Sequence, residues 1–293
     1  MNSELINVIL LSLVPMFGFG ISNAMQKVYV ERLGPAKLIT YRGLTIVSIL
    51  LVYWLFNLSN SNLDLQQMLL GAFVSFVSYF GLFFLNKSLQ HGKVGLVIPV
   101  SSSRVLISAI VGIAFLGEQI SGLQLLMVLL IFVGVFAAVI NFKDLANSNM
   151  FSFKSGVPYA LLAAFFWGIT FPLFGGFSAI LGAALFSLIA EFTVTAVSVV
   201  QQLIQKKSLA LSKEEFKLNW VGVGTIGVLG AIAAVFMNTA YATGYFSIVT
   251  AITAASPVVS IIFGILAFKE KLSLQQLIAI ILILIGIVAL PLV

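Results

Sequence analysis

The chain has no cysteine and a single histidine, His91, among 293 residues. Disulfides, thiolate nucleophiles and Cys-based metal sites are excluded, and one His cannot form a His cluster. Charge is also scarce: Asp, Glu, Lys and Arg make up 8% of the chain, against about 25% in a soluble domain. There is no P-loop and no H-E-x-x-H signature, so neither P-loop ATP hydrolysis nor zincin chemistry is expected. Paired acidic, His or Ser-Lys catalytic constellations are lacking too, which argues against an enzyme and against a resident metal or cofactor. What is present is apolar surface, 61% hydrophobic residues with 26 Phe and a mean hydropathy of +1.16. Such a chain takes lipid as its solvent. Its net charge of +6 is no sign of nucleic-acid binding, because the charges fall between the apolar runs. The start, Asn2-Ser3-Glu4, lacks the basic region of a cleavable signal peptide, so the first run is expected to be a retained helix.

A membrane-spanning helix needs about 20 mostly apolar residues. Ten segments qualify: 5–26, 37–56, 66–87, 94–116, 121–141, 156–174, 178–203, 219–241, 246–267 and 273–292. Turn residues separate them, among them Gly34-Pro35, Gly117, Asn147 to Asn149, Gly175-Gly176 and Gly244. A longer polar stretch, Lys206 to Lys217, is expected to hold a short interfacial helix.

The chain also repeats itself. Residues 92–137 read again as 244–289 after a shift of 152, with Gly92/Gly244, Ser108/Ser260, Glu118/Glu270 and Gly134/Gly286 coinciding without a gap. A shift near 148 lays Phe19-Gly20-Ile21-Ser22 over Trp167-Gly168-Ile169-Thr170. Two five-helix halves follow, 1–146 and 147–293, forming one transport domain. Five is odd, so the second half enters from the opposite side, an inverted repeat. The expected fold is an all-α integral membrane protein of ten helices. Of 15 basic residues all but Arg104 belong to odd-numbered loops or their edges. Basic loops stay in the cytoplasm, which puts the odd loops inside and both termini outside the plasma (bacterial inner) membrane.

Ten helices, the five-plus-five repeat and the doubled element around Glu118 and Glu270, with Ser121/Ser273, Gln124/Gln276 and the following apolar helix, resemble the EamA-type branch of the drug/metabolite transporter superfamily. The resemblance spans nearly the whole chain. It implies transport of a small metabolite and leaves the cargo open. Members of the group are often drawn with cytoplasmic termini; the charges here say the reverse.

Arg104 is the costliest residue in the chain. At 1.5 Å per residue from Lys93 it lies ~16 Å deep, where insertion of an Arg costs roughly 2.5–3.5 kcal/mol. It is expected to line a polar cavity and hold an anionic group of a substrate; the bland alternative is a structural ion pair. Ser101, Ser103, Trp167, Tyr79, Asn86 and Tyr241 are the other candidate substrate contacts, against helix glue for the Asn residues and lipid contact for the aromatics. Glu191 pairs with Arg104 or Arg42, or holds a proton; Arg42 sits near a helix end, where snorkelling is the plainer reading. Pro15, Pro99, Pro172 and Pro257 lie inside helices and are expected to kink them. Glu118 and Glu270 are expected to be turn elements that cap the helix following each.

The function expected from these residues is secondary active transport of a small polar or zwitterionic metabolite, an amino acid as first candidate, by alternating access and without cofactor, with possible proton coupling. Its partners are the solute and the bilayer, and its assembly monomer or homodimer. The alternatives are a flippase or exchanger for an anionic lipid carrier or organic phosphate, and an assembly partner that transports nothing.

Overall fold

The computed structural model describes residues 3–92, 94–139, 152–259, 262 and 274–293. Its helices are α1 (Ser3–Leu33), α2 (Pro35–Leu55), α3 (Leu65–His91), α4 (Val94–Ser102), α5 (Arg104–Phe115), α6 (Gly122–Val139), α7 (Val157–Leu181), α8 (Ala183–Ile204), α9 (Lys213–Tyr241), α10 (Phe246–Ala254) and α11 (Leu274–Ala289). Among the described residues there is no strand. Among these residues six helices are long and apolar enough to cross a membrane, and four shorter apolar stretches join them: Val100–Phe115, Gly122–Ala137, Phe246–Val259 and Leu277–Ala289.

The boundaries follow turn chemistry. Gly34 takes φ 77°, and Pro35 then opens α2, where its missing N–H costs nothing. The Asp64 side chain accepts from the Gln67 N–H to start α3. Two expectations change here. Gly175-Gly176 does not separate helices: α7 runs through both, and the turn falls at Gly182, whose φ of 86° an L side chain resists. Lys213 to Lys217 form no separate interfacial helix either; they are the first turn of α9, closed by a capping box between Ser212 and Glu215. Asn147 to Asn149 lie outside the described residues, as does Glu270.

The helices meet in reciprocal pairs. α3 packs on α7 as α1 packs on α9, and α2 faces α8 while α6 faces α11. The last two pairs run antiparallel. Thr40 meets Ser198 (2.9 Å) and Arg42 meets Glu191 further along α2. A Cβ on Gly134 would stand 2.7 Å from Ile283 Cγ1, and one on Gly286 would stand 2.6 Å from Ile131 Cγ1. Ile131 and Ile283 are themselves 152 apart, so each glycine admits the other half's isoleucine. Close helix approach is thus what these glycines provide. Gly134→Val therefore overfills the contact and lowers stability by about 1–3 kcal/mol, read as a lower unfolding temperature in detergent.

The stretch expected as one helix over 94–116 is two, α4 and α5, joined at Ser103. Ser103 N donates to Val100 O (3.1 Å) and Leu106 N to Ser103 O (3.1 Å). The same pattern stands 152 residues on: Ala255 N donates to Ile252 O (3.1 Å) and Val258 N to Ala255 O (3.0 Å). Pro99 comes four residues before its break, whereas Pro257 comes two after its own. Both breaks share a tight three-residue turn, of the kind that marks hinges, and the prolines do not share a register with it. Pro15 and Pro172 are buried inside α1 and α7, which continue through them.

Candidate functional site

The two breaks open on an internal cavity of about 90 Å³. That is room for roughly six to nine waters, at ~10–15 Å³ of space for each water's centre. Arg104 and Ser256 stand one residue beyond their respective breaks and both line it. Phe19 and Trp167, equivalent in the repeat, line it too. A solute here touches both halves of the chain.

Arg104 is the first residue of α5 and is 6% exposed. Its guanidinium carbon stands 5.7 Å from the Trp167 ring centre and 5.8 Å from that of Phe171. These are cation–π contacts. No carboxylate among the described residues pairs with it, and its Nε finds no acceptor.

Glu191 pairs with Arg42 rather than Arg104: Arg42 Nη2 stands 3.4 Å from Glu191 Oε2. The two positions are 149 apart, and the repeat lays Glu191 over Arg42 or Gly43, so the pair joins nearly equivalent points of α2 and α8. Arg42 does not snorkel. It is 6% exposed, lines the cavity and leaves its Nε without an acceptor. Glu191 keeps 20% of its side-chain surface open, and that surface lies in the cavity.

Of the expected contacts, Arg104, Ser101, Trp167, Arg42 and Glu191 converge on the cavity. Four do not line it. The Tyr79 hydroxyl donates to Gln201 Oε1 on α8. Asn86 donates to Leu82 O of its own helix (3.0 Å). Tyr241 shares a hydrogen bond with Thr250 (2.9 Å), and Ser103 Oγ returns to Val100 O (2.7 Å). Asn238, at the position equivalent to Asn86, donates to Ser187 Oγ (2.9 Å) and ties α9 to α8. Cavity residues that the sequence did not single out are Ser78, Gln26 and Ser102. Gln26 donates to Asn23 Oδ1 (2.9 Å) and leaves its buried Oε1 unpartnered.

Glu118 caps a helix, but not the one that follows it. It reaches across to α10 of the other half, where the Ser247 N–H donates to Oε1 (2.8 Å) and Oε2 (3.1 Å) and the Ser247 hydroxyl donates to Oε2 (2.6 Å). Burial pushes its carboxyl up to about 6, against the pull of the Ser247 donors. A carboxyl raised above its ordinary 4.5 holds its proton more tightly in the folded protein. That contribution to stability is complete at low pH and is lost as the pH rises through 6. Wild-type protein in detergent should unfold at a higher temperature at pH 4.5 than at pH 7, with about 2 kcal/mol at stake. Glu118→Gln should flatten that dependence.

Long apolar helices, reciprocal contacts and a charged internal cavity define a polytopic integral membrane protein built from two related units. The chain belongs to the EamA-like transporter family, whose profile matches residues 6–140 and again 154–290. It is a transmembrane transporter by that membership, which implies movement of some small solute. No curated protein matches the chain significantly. A protein of known crystal structure shares the fold at a TM-score of 0.71, over 94% of this chain and 95% of its own, at 17% identity.

Proposed function

We propose that this protein is a secondary active transporter of a small polar metabolite, working by alternating access between two inverted five-helix halves, 1–146 and 147–293. The ten spans of this reading are the six long helices, the paired segments α4–α5 and α10 with its continuation, and α6 and α11. The observation that carries it is Arg104: a buried guanidinium without a counter-charge among the described residues, in a cavity between the halves. Such a charge is expensive in a membrane and suits a substrate or ion path. The antiparallel meeting of α2 with α8 supports the inverted arrangement. The broken helices beside the cavity are the elements that rearrange. The cavity's size favours a compact solute over a lipid carrier. Glu191 balances Arg42 in this state and is the candidate for proton coupling.

Purified protein in proteoliposomes loaded with unlabelled solute should accelerate entry of labelled solute. Counterflow absent for every carboxylate, amino acid and sugar phosphate tried would remove the reading. In this reading the basic odd loops stay in the cytoplasm and both termini lie outside. Single cysteines at residue 2 and at Ala210 should react with an impermeant thiol reagent from outside and inside, respectively.

A further inference from the structure

We infer that the cavity selects a monoanion, a compact carboxylate with an apolar body, and discriminates against its zwitterionic and cationic counterparts. This deepens the transport reading and rests on it for the cavity's being the solute site. Among the described residues three charged side chains line the cavity: Arg42, Arg104 and Glu191. The one carboxylate is occupied by Arg42, which leaves a net single positive charge with Arg104 unpartnered. An entering monoanion brings this enclosed charge to zero. A zwitterion leaves it at one, and its ammonium has to share Glu191 with Arg42. An amine raises it to two beside an uncompensated guanidinium, and like charges in a low dielectric repel strongly.

The walls give the remaining chemistry. Phe19, Trp167, Phe171 and Phe174 line the cavity together with Met237, a surface suited to hydrocarbon or an aromatic ring. Trp167 and Phe171 both stand within cation–π reach of the Arg104 guanidinium, whose planar fork can hold a carboxylate bidentately.

The test uses matched triples on the skeletons of alanine, leucine and phenylalanine. Each triple is the 2-hydroxy acid, the amino acid and the amino alcohol, and each is added to purified wild-type protein in detergent while the unfolding temperature is followed. At least one 2-hydroxy acid should raise it, because a ligand of the folded state stabilises it. Its apparent affinity should exceed that of its amino acid by about tenfold or more, the range expected for one unopposed charge-assisted contact. The amino alcohols should give no shift. Arg104→Gln should abolish the shift, and Arg104→Lys, which keeps the charge but loses the planar fork, should retain part of it. Equal or larger shifts with amino acids overturn the inference, as does a shift with an amino alcohol or none with any hydroxy acid. Proteoliposome flux separates the two readings. Hydroxy acids that bind but do not move leave the charge selection standing and remove transport. Amino acids that bind and move do the opposite.

Discussion

Arg104→Gln should all but abolish solute uptake while making the protein more stable. Removing one partner of a buried, hydrogen-bonded charge contact costs ~2–5 kcal/mol in binding, a fall of roughly 30- to 4,000-fold. Stability moves the other way, because the unliganded protein holds this guanidinium buried with no carboxylate beside it among the described residues. Glutamine relieves a desolvation cost that Trp167 and Phe171 only partly offset. Functional sites often retain this kind of strain. The measurements are initial uptake into proteoliposomes and unfolding temperature in detergent. Loss of uptake together with loss of stability would mean that Arg104 is structural.

The second large effect concerns the pair that joins the halves. Glu191→Gln leaves Arg42 buried without its partner and should destabilise the fold by about 3–5 kcal/mol. Arg42→Met costs less, since Glu191 keeps part of its surface open to the cavity and can take up a proton. The double variant Arg42→Met with Glu191→Leu should recover most of the stability, because apolar replacements of a buried ion pair are often neutral or better. Chemical denaturation of wild type, Arg42→Met, Glu191→Leu and the double variant forms a double-mutant cycle. A coupling near zero would show that the 3.4 Å approach contributes little to holding α2 against α8.

The amino-acid sequence makes some of this legible and hides the rest for identifiable reasons. Charges inside apolar runs are costly, so Arg104 and Glu191 stand out in the chain by their position alone, and both line the cavity. Helix existence is legible from the length of the runs. Helix phase is not, because helices that are apolar on all sides carry no stripe to read. Ser78 and Tyr79 illustrate this. Neighbours on a helix point about 100° apart; Ser78 faces the cavity and Tyr79 turns to Gln201. The same rotation separates Ser102 from Ser103. The repeat announces Glu118 as a cap, but local sequence cannot show that its target, Ser247, lies 129 residues away in the other half. Gly175-Gly176 misleads because a glycine within a helix can also serve close packing: a Cβ on Gly175 would meet Tyr241 O at 2.6 Å, whereas one on Gly176 would meet nothing within 4 Å.

Alternating access makes one demand of the cavity that an assembly scaffold does not make: its residues must be reachable from each side of the membrane. The chain has no native cysteine, so a single Ser256→Cys substitution reports on the cavity alone. Ser256 is 3% exposed and lines it opposite the break that Arg104 follows in the first half. In sealed, oriented vesicles an impermeant thiol reagent should label this cysteine from the outside and, in separate samples, from the inside. Addition of the transported solute should slow both reactions. Labelling from one side only, or from neither, would contradict the account.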